Sequence, residues 1–275
     1  MSNLFLRVLT ALFLIPLVIS AIYFGDFLLL GLLSIVALLV SKEIFDIVYP
    51  KNSHTYLPYL LVVLLFLPLA LLFESIVGWL IIFISFFIVQ VITLFSVKID
   101  VKDFERICTA YFFCFYVFIA LACIVWLQSF SLGISFTFMA CIATWLNDSF
   151  AYFTGRLIGK RPLFISVSQK KTWEGFMGGA FFTVFLSVVI SFCSTKLWPS
   201  SIFTINLSDT LWICMPVIFL APLGDLIESR LKRFYNVKDS SGILPGHGGI
   251  LDRIDALLTV LPWTCIYAFI IRPLC

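Results

Sequence analysis

Charge is scarce in this 275-residue chain. Asp, Glu, Lys and Arg together make up 12% of it, and histidine occurs twice. A soluble domain usually gives about 25% of its residues to charge. With 62% hydrophobic residues and a mean hydropathy of +1.12, a soluble fold of this length lacks the interior to hide its apolar surface. Short segments of alternating hydrophobicity, the mark of an outer-membrane barrel, are missing too. The class left standing is an all-α, polytopic integral membrane protein. The eight cysteines form no C-x-x-C pair and no cluster with histidine, which argues against a zinc site or a disulfide framework. A net charge of +3 is too small to indicate nucleic acid as a partner. There is no fixed-period repeat, no low-complexity segment and no soluble second domain. No small-residue cleavage site follows the first apolar run, so it is read as a retained span.

What the chain does have is long apolar runs. A span needs about 20 mostly apolar residues. Nine candidates follow, at 5–24, 27–48, 56–73, 76–96, 107–127, 131–153, 175–195, 209–228 and 255–272. If the N-terminus is cytoplasmic and the sides alternate, sixteen of the eighteen lysines and arginines fall on the cytoplasmic side. Only Lys196 and Arg272 fall on the other. This asymmetry predicts a multi-pass protein of the cell (inner) membrane whose polar loops, 154–174 and 229–254, face the cytoplasm. The whole chain reads as a single membrane domain: N-terminal helices over 1–130, and a half bearing the chemical motifs over 131–275.

Polar residues gather in that second half. A carboxylate within the bilayer is costly and usually has a task. Asp148, Tyr152 and Gly155 share a helix face by spacing, as do Asp225, Glu228, Ser229 and Lys232. Asp252 and Asp255 stand three apart at the start of the last span. The plainer alternatives are an ion-paired carboxylate at Asp148 and a solvated helix end at Asp225. Hard oxygen ligands without histidine or thiolate suit Mg²⁺, with room for a second metal ion. Asp225 and Asp252 are the candidate metal ligands. Cations flank them: Lys170 and Lys171 in one loop, and Arg230, Lys232, Arg233, Lys238 and Arg253 in the other. Carboxylates for metal beside cations for phosphate are what a nucleotide-polyphosphate site needs. The glycines of "GHGG", Gly248 and Gly249 among them, give the backbone clearance to approach a ligand. His247, set between glycines, is a candidate catalytic residue acting through phosphate or base contact.

The segment from Ser229 to Asp255 resembles, at every spacing, the signature of the phosphatidate cytidylyltransferases, also called CDP-diacylglycerol synthases. It carries Ser229, Leu231, Lys232, Arg233, Lys238, Asp239, Ser241, Leu244, Pro245, His247, Gly248, Gly249, Ile250, Asp252, Arg253, Ile254 and Asp255. A second block, "NDSFAYFTGRLIGK" followed by "SQKKTWEG", is similar to that family's other segments, with Gln169 where the family has proline. The resemblance covers about 140–257. It implies the reaction of CTP with phosphatidate to give CDP-diacylglycerol and pyrophosphate for phospholipid biosynthesis, with Mg²⁺. It also implies a polytopic fold, commonly dimeric, opening to lipid on the cytoplasmic side. Under it, Asp225 and Asp252 are metal ligands, and Ser229, Lys232, Arg233 and Asp255 are parts of the catalytic site. Asp148, Tyr152, Lys170, Lys171, Lys238, Gly248, Gly249 and Arg253 are left to bind substrate. The signature of the CDP-alcohol phosphatidyltransferases is absent. A CTP-using lipid kinase and a transporter are the competing readings.

Overall fold

The computed structural model describes residues 3–49, 101–164, 168–197, 204–243 and 248–274. The predicted spans at 56–73 and 76–96 lie outside the described residues. Each of the other seven is helical. The helices are α1 (Asn3–Phe24), α2 (Asp26–Val48), α3 (Val101–Gln128), α4 (Gly133–Ile158), α5 (Trp173–Leu197), α6 (Leu207–Phe234), a single turn α7 (Leu251–Ile254) and α8 (Leu257–Ile266). A π-helical turn, Tyr267–Ile271, continues α8. Four helical stretches are long and apolar enough to cross a membrane: Phe27–Val48, Phe104–Gln128, Trp173–Leu197 and Leu207–Phe234. Phe27, Phe112, Phe181, Phe192 and Phe219 stand exposed on them. In water such faces would be penalised; in a bilayer they meet acyl chains. The protein is a helical membrane protein.

The chain divides into two compact units. The first holds the described residues of 1–125 together with Asp239–Asp252. Its buried residues are mostly apolar, such as Ala37, Val40, Ile44 and Phe45 of α2, and Ala110, Val117 and Leu121 of α3, with the polar Ser41, Glu43 and Ser240 buried among them. Gly25, at φ 63°, separates α1 from α2.

The second unit holds Trp126–Lys238 and Arg253–Cys275. Its core joins Phe136, Met139, Ala140 and Ala143 of α4 to Ile213, Val217 and Ala221 of α6, with Ala256, Val260 and Tyr267. α4 and α5 pack closely along small residues: the Thr154 hydroxyl reaches the Gly175 carbonyl at 3.3 Å, and Gly179 lies against Ala151 and Asn147. Near the start of α6, buried Asp209 accepts hydrogen bonds from the Tyr267 hydroxyl at 2.5 Å and Arg272 Nε at 3.1 Å. The Arg272 guanidinium also covers the rings of Phe130 and Phe136. One of the two cations predicted on the far side is therefore bound to a buried carboxylate while itself half-buried.

Two predicted loops contain more regular structure than their polarity suggests. α4 runs on to Ile158, and a hairpin follows, β1 (Pro162–Phe164) antiparallel to β2 (Ser168–Thr172), with Pro162 opposite Thr172. Gln169, at the position where the family has proline, lies within β2. Glu174 closes the hairpin base, accepting the N–H groups of Lys160 at 3.0 Å and Arg161 at 3.2 Å. α6 likewise continues past its apolar stretch to Phe234, and Lys232 and Arg233 in its last turn complement the helix dipole.

Candidate active site

Helix α6 contributes most of the site. Pro216 and Pro222 interrupt its backbone hydrogen bonding. Pro216 has no N–H for the Trp212 carbonyl, which accepts from Trp263 Nε1 at 2.9 Å instead. Two further carbonyls of this helix take side-chain donors: Leu220 O accepts from Thr259 Oγ1 at 2.6 Å, and Pro222 O from Lys171 Nζ at 3.4 Å. One turn on, Gly224 meets the chain at Asp255. A Cβ at Gly224 would collide with the Asp255 carbonyl oxygen and stand 3.0 Å from Ala256 Cα. This close approach carries Asp255 to the face of α6 that bears Asp225 and Glu228. The three carboxylates offer oxygens that all lie within 4.8 Å of one another.

Three carboxylates so close repel strongly unless cations or protons compensate. Lys171 Nζ lies 2.6 Å from Asp225, and Lys232 Nζ lies 2.9 Å from Glu228. The Ser229 hydroxyl donates to Asp225 Oδ1 at 3.1 Å, and the Ala256 N–H donates to Asp255 Oδ1 at 2.8 Å. Asp148, on α4, is exposed and interacts electrostatically with Asp255, Lys171, Asp225 and Arg253. Four elements of the second unit thus converge: α4, β2, α6 and the segment leading into α8. All the anionic donors are carboxylate oxygens, the hard set that suits Mg²⁺. The cluster fits a divalent cation.

In the first unit the signature loop is organised by carboxylates as well. Asp252 Oδ2 accepts from the Gly249 N–H at 2.9 Å and the Ser240 N–H at 3.1 Å, and shares the single Ser240 hydroxyl proton, with its oxygen 3.1 Å away, with Glu43. Glu43 of α2, fully buried, accepts four: from the Ser240 hydroxyl (3.0 Å), the Ser241 hydroxyl (2.6 Å), the Ile250 N–H (2.9 Å) and the Leu251 N–H (2.8 Å). Gly248 has φ 84°, and a Cβ there would sit 2.8 Å from Asp252 Oδ2. A Cβ on Gly249 would collide with the Ser240 hydroxyl and stand 2.7 Å from Glu43. Both glycines therefore clear space for carboxylates of the protein itself.

Among the predicted site residues, the second unit brings together Asp148, Lys171, Asp225, Ser229, Lys232 and Asp255. Tyr152 is exposed on α4, its hydroxyl accepting from Arg156 at 3.2 Å. Arg233, Lys238 and Arg253 are exposed. His247 and the side chain of Lys170 lie outside the described residues. Two residues were missing from the predicted set. Glu228 shares the Asp225 face at i+3, and that spacing could have nominated it. Glu43 is a charge within a long apolar helix, and nothing near it in the sequence answers it.

A cation-flanked carboxylate cluster in a helical membrane protein marks a candidate functional site, because charge is costly within the bilayer. The sequence model of the cytidylyltransferase family matches residues 5–271, and the chain belongs to that family. It is similar to proteins named phosphatidate cytidylyltransferase from Bacillus subtilis (strain 168), 42% identical over 134 residues, 48% of this chain and 46% of that one. Those of Staphylococcus haemolyticus (strain JCSC1435), 41% identical over 130 residues, and Staphylococcus saprophyticus, 42% over 133, each align over 47% of either chain. The chain spans about half the length of these relatives.

Proposed function

We propose that this protein transfers the CMP moiety of CTP to phosphatidate, yielding CDP-diacylglycerol and pyrophosphate. The observation that carries the reading is the cluster of Asp225, Glu228 and Asp255 with Lys171 and Lys232 against it. In the reaction, a phosphate oxygen of phosphatidate bonds to the α-phosphorus of CTP and the bond to the β-phosphate bridging oxygen breaks. The attacking oxygen is anionic near neutral pH, so a strong general base is not needed. Catalysis then consists of positioning and of offsetting charge.

Mg²⁺ belongs to this reading: in the second unit Asp225 and Asp255, with Glu228 beside them, would hold it, and in the first unit Asp252 is proposed as a metal ligand; a bound ion would offset charge on the attacked phosphate and on the leaving pyrophosphate. Ser229 holds the Asp225 carboxylate by its hydrogen bond. Lys171 and Lys232 neutralise the carboxylates and supply ammonium donors for phosphate oxygens. Arg233, Arg253, Lys170 and Lys238 add positive charge for the triphosphate or the lipid phosphate. Tyr152, Gly248, Gly249 and His247 complete the proposed substrate contacts. The active site faces the cytoplasm in this reading, and the protein works as a homodimer.

The test is an assay of purified protein in detergent with phosphatidate, Mg²⁺ and CTP labelled in turn at the α- and γ-phosphates, omitting each component. The expected result is α-label in the lipid and γ-label in pyrophosphate, with turnover requiring all three components. Transfer of γ-label to lipid would make the protein a lipid kinase, and no CTP-dependent product would overturn the reading in favour of a carrier.

A further inference from the structure

Glu43 lies nearly two hundred residues before the signature loop, yet it receives four hydrogen bonds from it. Each carboxylate oxygen takes one hydroxyl and one backbone N–H: Ser241 and Ile250 on Oε1, Ser240 and Leu251 on Oε2. An ionised carboxylate has about four acceptor sites, so this group is filled to capacity. Its donors come from both ends of the loop, Ser240–Ser241 before it and Ile250–Leu251 after it. Glu43 therefore staples the ends of the loop to one point on α2.

The staple reaches Asp252 through a shared group. The Ser240 hydroxyl lies 3.0 Å from Glu43 Oε2 and 3.1 Å from Asp252 Oδ2, and the Ser240 N–H also donates to that Asp252 oxygen. Gly249 supplies a further backbone donor to Asp252 at 2.9 Å, and its missing side chain is what lets Glu43 and Ser240 come so near. All of these residues belong to one compact unit. A ligand carboxylate oriented by hydrogen bonds from a neighbouring polar group is the usual arrangement around a bound metal, and loss of the orienting group typically weakens metal affinity by about 10–100-fold.

We infer that Glu43 is a positioning residue for Asp252: through Ser240 it fixes the orientation of the Asp252 carboxylate. The inference rests on the reading of Asp252 as a metal ligand. A merely structural buried carboxylate would affect folding alone; a positioning one affects cation affinity in folded protein.

The experiment is a Mn²⁺ titration of the purified full chain in detergent, without nucleotide, followed by electron paramagnetic resonance of free Mn²⁺. Glu43→Gln keeps the size of the side chain but turns an NH₂ group toward two donors. It is expected to weaken Mn²⁺ binding about 10–100-fold. Ser240→Ala cuts only the bridge to Asp252, leaves the Glu43 contacts to Ile250 and Leu251, and is expected to shift affinity in the same direction. The double variant should bind no more weakly than Glu43→Gln alone, because the bridge needs both groups. Wild-type affinity in folded Glu43→Gln and Ser240→Ala overturns the inference; if Glu43→Gln does not fold, Ser240→Ala alone decides. A parallel turnover assay separates the two readings. Wild-type turnover with unaltered Mn²⁺ binding in the variants overturns the role of Glu43 and spares the proposed function. Weakened Mn²⁺ binding without any CTP-dependent product in the wild type does the reverse.

Discussion

At the scale of single residues, the carboxylates of α6 are not equivalent. Glu228 is buried and paired with Lys232, so removing its charge breaks that pair. Breaking a buried pair of this kind costs about 3–5 kcal/mol. A Glu228 variant would therefore confuse folding with function. Asp255 is more informative, since its backbone N–H neighbour and its position beside Gly224 do not depend on its charge. If the cluster holds Mg²⁺, a concentration 100 times the dissociation constant should stabilise the wild type by about 2.7 kcal/mol. Thermal unfolding in detergent should show that increment in the wild type and little of it in Asp255→Asn. Turnover of the variant should fall by about 10²–10³-fold, the usual effect of losing one charge-stabilising group at a reacting centre. An undiminished Mg²⁺ increment in the variant would exclude Asp255 as a ligand. Asp225 and Asp255 were legible in the sequence because a carboxylate at the end of an apolar span announces itself. Glu43 was hidden because its significance depends on partners nearly two hundred positions away.

At the scale of elements, the site depends on how closely α6 and the start of α8 approach. Gly224 sets that distance. Gly224→Ala would drive a methyl group into the Asp255 carbonyl, and the two segments would have to part. Overpacking of this kind costs about 1–3 kcal/mol, and the separation would spread the carboxylates. The expected outcome is a lower unfolding temperature together with weaker Mg²⁺ dependence. Gly31→Ala on α2 is the control, because a Cβ there meets nothing within 4 Å. It should be neutral, or stabilising by up to about 1 kcal/mol through helix propensity. Equal behaviour of the two variants would rule out close approach at Gly224. The sequence suggested a different use for glycine, clearance for phosphate at Gly248 and Gly249. The structure gives those two an internal reason, the carboxylates of Asp252 and Glu43. The β1–β2 hairpin was not legible at all. Its strands are short, and its closure by Glu174 is a tertiary feature that no periodicity encodes.

At the scale of the whole molecule, hydropathy alone located the seven described spans, since lipid imposes one requirement on every span: an apolar run long enough to cross with its backbone bonded internally. It could not show that α4 and α6 continue beyond their apolar stretches, because those last turns are polar and held by tertiary contacts. Orientation rests on a different kind of signal, the sixteen-to-two division of lysine and arginine. That division works as a topological rule only if the signature loop faces the cytoplasm. The two sides are accessible to experiment within one compact unit: Lys238, after α6, and Lys196, at the end of α5, are both exposed. Single cysteines at these positions should respond oppositely to a membrane-impermeant maleimide, measured above the background of the unsubstituted chain. In intact cells Lys196→Cys should be labelled and Lys238→Cys protected, with Lys238→Cys becoming reactive once the membrane is opened. Labelling of Lys238→Cys from outside would invert the topology. It would also separate the carboxylate cluster from the cytoplasmic nucleotide that the proposed reaction consumes, so one measurement bears on both orientation and chemistry.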